Sequence, residues 1–353
     1  MVRALAVLAV LAIAIALSES APISASPIQV YGVWHCGNDL CAWGTVRDMA
    51  EFDRKNRWLI DRGDGSPSVN LVVLSFVNPL RLLNLTNDTQ TVDGIPIGMT
   101  PEIVRYFTGR KIRVMLSIGG LTYIKDWDKA LATNSKQLGI NAAHAAQRLG
   151  VGTEIDYEND RSPNLSGLQE FIAAYRSVLP YEAAATNPAA RLTIDLAPGD
   201  EYLVPLTQYA TSNWLTTTHP VLDYANAMVP FEQTSASTLE EGWEEHVRGK
   251  SPVPPLAPAK FTGSLYTAGR RGVLPECNDF SHSLGNATGS FVQTVEPRGA
   301  GKTKGMLGYM FWAVECFASK SACTTPPNTC EAGIGAGAKV YNIPLPMPPL
   351  RQD

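Results

Sequence analysis

The sequence predicts an α/β chain folded as a single (β/α)8 TIM barrel with loop insertions. Eight short apolar, β-branched runs recur along the 353 residues. Helical patterns fall between several of them. No Gly-x-Gly-x-x-Gly follows the first run, which weakens the rival reading of a doubly wound open sheet.

In chain order the strand candidates are Gln29–Val33, Asn70–Phe76, Ile112–Ile118, Val151–Tyr157, Arg191–Leu196, Leu222–Val229, Phe261–Leu265 and Met306–Trp312. The Ala-rich stretch Gly139–Leu149 reads as a helix before the fourth run. After that run, Leu168, Phe171, Ile172, Tyr175, Val178 and Leu179 follow helical spacing, with Ser166 and Gln169 placed as a capping box. The acidic stretch Glu240–Glu245 suits a solvated helix face. The Pro-rich segment Ser251–Pro258 reads as a loop, and His219-Pro220 as a turn.

The ends carry different signals. One early cation, Arg3, precedes an apolar run to Leu17, and small and polar residues follow. Residues 1–21 are therefore expected to be a secretory signal peptide. A membrane anchor is the alternative, but the run is short for a span. Residues 27–341 form the expected catalytic domain, and 342–353 a Pro-rich extended tail. Export makes the six cysteines disulfide candidates. Cys36 and Cys41 suit a small loop, and Cys277, Cys316, Cys323 and Cys330 lie in the C-terminal third, with the pairing left open. Asn-x-Ser/Thr sequons at Asn84, Asn87, Asn164 and Asn286 mark surface loops.

Composition excludes several function classes. The formal net charge of −4 gives no basic excess, so nucleic acid is not an expected partner. Neither Cys-x-x-Cys nor metal-ligand spacing among the five histidines occurs, and no metal or other cofactor is expected. A Ser-His-Asp hydrolase has little support without Gly-x-Ser-x-Gly. The mature chain is expected to be an extracellular monomer with no membrane contact.

The chemistry concentrates in the fourth run. Glu154, Asp156 and Glu158 are two residues apart, so a strand would turn all three to one face. Like charges so crowded push at least one pKa upward, which suits a carboxyl to general-acid work. A buried structural ion network is the plain alternative, but the run holds no Lys or Arg to neutralise it. In a barrel, active sites lie at the C-terminal strand ends, where Glu158 falls. Trp34, Tyr123 and Trp127 are further cleft candidates at or after strand ends.

The chain resembles glycoside hydrolase family 18, the chitinase-like barrels, over essentially its mature length. Ser117-Ile118-Gly119-Gly120 is similar to the family's strand-3 Ser-x-Gly-Gly. Gly152, Asp156 and Glu158 match parts of its Asp-Gly-x-Asp-x-Asp-x-Glu. Asp195-Leu196-Ala197-Pro198 looks like its strand-5 ending, and Asp223 and Met228 stand where strand 6 has an Asp and a Met. Gly308-Tyr309-Met310-Phe311-Trp312 is similar to its Gly-x-Met-x-Trp.

The resemblance implies substrate-assisted retaining hydrolysis of β-1,4 N-acetylglucosamine linkages in a polysaccharide or glycan, an exception to the two-carboxylate scheme. It makes Glu158 the proton donor and Asp156 the residue that orients the acetamide. Glu154 is implied to share a proton with Asp156, and Trp312 to form an apolar floor. Met228, Glu232 and Tyr123 complete the expected substrate contacts. Three departures stand out: Val151 and Glu154 replace aspartates, and Val229-Pro230-Phe231-Glu232 lacks the tyrosine that the family places after the strand-6 Met. Loss of one such donor can cost roughly 10²–10³ in rate. The alternative is a weak or inactive lectin-like binder of the same fold. Asp223, at the start of its strand, reads as structural.

Overall fold

In the computed structural model, eight parallel strands close a barrel in chain order. They are β1 (Val30–Cys36), β2 (Leu71–Val77), β3 (Arg113–Gly119), β4 (Gly152–Asp156), β5 (Leu192–Leu196), β6 (Ala225–Ala227), β7 (Phe261–Tyr266) and β8 (Gly308–Trp312), which pairs back to β1. The structure describes residues 28–36, 48–197, 202–228, 236–266, 305–312, 338–339 and 342–350. The predicted leader, the cysteine side chains, Asn286, Pro198 and residues 229–235 lie outside the described residues.

Each predicted run overlaps one strand, and four of the strands (β1, β2, β3 and β7) extend past the C-terminal end of their run. The sixth is the most shortened: the backbone N–H groups of Val221 and Leu222 both donate to Trp214 O, so the chain is still turning and extended pairing begins at Ala225. The helices are α1 (Met49–Ile60), α2 (Pro79–Leu83), α3 (Pro101–Thr108), α4 (Ile124–Leu149), α5 (Leu165–Val178), α6 (Val204–Asn213) and α7 (Ala236–Arg248). A short antiparallel pair, Thr91–Val92 with Ile95–Pro96, lies between α2 and α3. Asp48 and Thr100 cap α1 and α3 by accepting from backbone N–H groups of the first turn. The predicted capping box on α5 is replaced by Asn164, whose Oδ1 accepts from Gly167 N at 2.9 Å. Asn164 precedes the first helical residue and so reaches the free N–H. Ser166 donates to that same oxygen, and Gln169 accepts from the indole of Trp214.

Strand alternation divides the apolar side chains into two sets. Ile155, Leu192, Ile194 and Leu196 join the large core beneath the helices, with Trp127 and Phe171. Val30, Leu71, Val73, Met115 and Met310 form a second cluster within the barrel. Met347 and Leu350 belong to it too. The predicted tail therefore packs across the base: Gln29 Nε2 donates to Pro349 O at 2.9 Å and Asn70 Nδ2 to Pro344 O at 3.3 Å. Among the described residues, no helix is long and apolar enough to cross a membrane.

Candidate active site

β4 turns Ile155 and Tyr157 to the outer core and Glu154, Asp156 and Glu158 inward, with relative exposures of 0%, 4% and 6%. Backbone contacts hold the neighbouring strand end in place. Gly119 pairs with Asp156 in register, and a Cβ there would lie 1.8 Å from Asp156 O. Gly120, at φ +90°, leaves room for the ring of Phe76, which a Cβ would meet at 3.0 Å. The Ser-x-Gly-Gly run thus serves close backbone approach at the mouth. Asp156 O accepts from Gly120 N at 2.9 Å and from the Trp127 indole at 3.1 Å. Trp127 is fully buried beneath the strands, which makes it core, one of the roles its sequence position left open. An indole beside a strand end has an apolar face to bury and one N–H to satisfy, and two carbonyls satisfy it here.

The carboxylates differ in their partners. Glu154 Oε1 accepts from Trp34 Nε1 at 2.8 Å, and Oε2 from Asn226 Nδ2 at 2.6 Å. Burial raises the Glu154 pKa, but Trp34, Ser117, Asp195 and Asn226 oppose that shift. Two N–H donors favour the anion. Asp156 has no such support: burial, then repulsion by Glu158 and Glu154, pushes its carboxyl far up, and its Oδ1 is buried without a partner. Glu158 is raised to about 7 by burial, against the opposing pull of Tyr202 and the Leu121 backbone N–H. Tyr202 Oη lies 3.2 Å from Glu158 Oε2.

A fourth acid joins them. Asp195 pairs in register with Asn226, is 4% exposed, and is pushed far up by burial, then by the charges of Glu154 and Asp156. All four carboxyls are raised by burial, Glu154 against the pull of its hydrogen-bond donors and Asp156 and Asp195 with further help from neighbouring charge.

No protein-family model matches the sequence, and no curated protein matches it. Among solved structures, the chain is similar to a family 18 chitinase from Pseudoalteromonas aurantia at 11% identity and TM-score 0.53, covering 80% of this chain and 93% of that one. A Rhizomucor miehei chitinase follows at 12% identity and TM-score 0.49, over 86% and 99% of the two chains. A Cycas revoluta family 18 chitinase in complex with (GlcNAc)3 gives 15% identity and TM-score 0.49, over 80% and 95%. The chain has the fold of a family 18 chitinase.

On that chitinase-like barrel, the remaining predicted residues fall as follows. Trp312 ends β8, is part-buried, and has its ring centroid 5.4 Å from that of Phe76. Tyr123 is part-buried in the turn Leu121–Tyr123 that follows β3. Met228, directly after β6, is part-buried; its N–H donates to Leu196 O at 2.7 Å and its carbonyl accepts from Ser264 Oγ. Glu232 lies outside the described residues. Asp223 sits away from the mouth, bonded to Arg191 Nη1 at 2.8 Å and Arg176 Nη2 at 3.1 Å.

Sequence reasoning missed Asp195, Asn226 and Tyr202 as site residues. Asp195 and Asn226 were reachable by counting inward positions on β5 and β6. Tyr202 follows β5 on a mouth-side loop, and no spacing rule links it to Glu158.

Proposed function

We infer that this chain is a chitinase-like glycoside hydrolase of the extracellular space. It cleaves β-1,4 N-acetylglucosamine linkages with retention, and Glu158 serves as general acid and base. The observation that carries this reading is the Glu158 carboxyl: nearly buried at the barrel mouth, raised to about 7, beside a proton-bearing Asp156. A carboxyl with a pKa near working pH can give a proton to a glycosidic oxygen and recover it from water. Asp156, its carboxyl pushed up by burial and its Oδ1 without a partner, has a free group to offer an acetamide. Trp312 supplies an aromatic face for a pyranose ring.

The test is hydrolysis of labelled N-acetylglucosamine oligomers by wild type and Glu158→Gln. Release by wild type and loss of roughly 10²–10⁴ in the variant is the expected result. Equal, slow release by both proteins would remove the assignment. The lectin-like alternative draws on Glu154, whose oxygens are taken up by Trp34 and Asn226. Retention on chitin beads without any turnover would favour it.

A further inference from the structure

The base of the barrel collects cations that hydrolysis at the mouth does not use. Arg113 opens β3, Arg191 precedes β5 and Lys260 precedes β7, each at an inward position, while Arg176 reaches the same region from α5. One buried carboxylate, Asp223, answers them, bonding Arg191 and Arg176. Glu182, part-buried, acts on Arg113 and Arg191 through charge. Arg176 gives its other N–H groups to the carbonyls of Val221, Leu179 and Ala190. Lys260 Nζ is 3.1 Å from Asp223 O and 3.5 Å from Tyr181 Oη, and Arg113 Nη2 is 3.2 Å from Ala185 O.

Donors are left over. Arg191 is 0% exposed, yet its Nε and Nη2 donate to nothing. Arg113 Nη1 and the Tyr224 hydroxyl are likewise buried and unbonded. These groups are neighbours: the Arg191 guanidinium lies 6.0 Å from the Tyr224 ring centroid, and Gly152, between β3 and β5, leaves room that the Arg191 stem fills. Burial, then the charge of Arg191, pushes Arg113 down to about 10. The leftover groups offer hydrogens. A water can accept two and must then donate two of its own, whereas an anion accepts from all of them and offsets the excess charge. Tyr224 also belongs to the apolar cluster that holds Met115, Met347 and Leu350, so its hydroxyl is shielded from solvent.

We propose that the base of the barrel binds a compact monovalent anion of chloride or bromide size, held by Arg191, Arg113 and Tyr224. Arg191 and Asp195 are four residues apart along the strand direction, about 13 Å at the rise of a strand, so this site lies well below Asp195 at the mouth; Glu154 reaches Tyr224 through its charge. Occupancy stabilises the folded barrel by ordinary linkage.

The test uses the full chain exchanged into gluconate at fixed ionic strength, then titrated with sodium chloride or bromide. A saturable rise in Tm is expected for wild type. Bromide-soaked crystals should show anomalous density within hydrogen-bond reach of Arg191 Nη2. Arg191→Gln should lose the halide response. Because that change also breaks a buried ion pair, Tyr224→Phe serves as the milder variant and should weaken halide affinity several-fold with the fold intact. Equal Tm in gluconate and chloride, water alone at Arg191 in the bromide crystal, or an unchanged affinity in Tyr224→Phe would each overturn the proposal. None of these readouts depends on glycoside hydrolysis.

Discussion

The indole of Trp34 on β1 donates to Glu154 on β4 at 2.8 Å, across the inside of the barrel. Together with the Asn226 amide it opposes the upward pull of burial on Glu154, while Asp156, Asp195 and Glu158 around it are pushed toward their protonated forms. The Glu154 carboxyl is thus supported from β1 and β6, and also by Ser117 and Asp195 beside it.

Removing that donor while keeping an aromatic ring isolates its contribution. Trp34→Phe is expected to lower stability by about 1.5–3 kcal/mol, the range for a hydrogen bond to a charged group. Urea unfolding measures it. An unchanged midpoint and slope would mean that the bond contributes nothing net.

The raised carboxyls set the direction of the pH dependence. The folded chain holds protons on Glu158, Asp156 and Asp195 more tightly than the unfolded chain, so what these groups contribute to stability is greatest on the acid side and falls as pH rises. For Glu158 the window runs from 4.5 to about 7, worth on the order of 3 kcal/mol. Hydrolysis should decline over the same upper limb, as the proton donor ionises. Buried His246, lowered to about 4, works the opposite way up to about pH 6.5, so thermal melts from about pH 6.5 to 8 should show a falling Tm, and Glu158→Gln should flatten part of the slope. A Tm that climbs across this range would contradict the charge arrangement.

Tyr202 favours the ionised form of Glu158 through its hydroxyl. In Tyr202→Phe the Glu158 pKa should therefore rise by about half to one unit, the equivalent of one net hydrogen bond. The alkaline limb of the pH–rate profile would move up by that amount. A limb that moves down, or not at all, would show that Tyr202 does not act on this carboxyl.

Asp195 distinguishes a proton carrier from a charge. If it works as the neutral acid, Asp195→Asn preserves its shape and its hydrogen-bonding capacity, and removes a group that costs energy on ionising. That variant should match wild-type turnover near pH 6 within about threefold and melt higher than wild type at pH 8. Asp195→Ala should lose about 1–3 kcal/mol by leaving buried polar neighbours unmatched. Equal damage from both changes would argue that Asp195 works as an anion.

The barrel was legible because its signal is local. Each strand announces itself within a few residues, and their order in the chain is their order around the sheet. The inward face of β4 followed from period-two alternation alone. Contacts that join distant positions were not legible. Trp34 is 120 residues from Glu154, and Asn226 is 72. A tryptophan after a strand reads equally as cleft or core, and Trp34 and Trp127 both proved to be buried. The α5 cap shows the same limit at short range: Ser166 fits the capping motif, but Asn164 sits one residue before the helix begins and takes the free N–H.

The seal across the barrel base has a consequence for synthesis. Gln29, just before β1, is joined to Pro349, and β1 itself pairs with β8. The first contact spans 320 positions and the strand pairing, from Val30 to Gly308, spans 278, so a ribosome-bound chain cannot close its barrel until nearly all of its length has emerged. Until then, Val30, Leu71 and Val73 lack the Met347 and Leu350 side chains that share their cluster. Shortening the chain before residue 344 should therefore show up as poor yield and aggregation during expression.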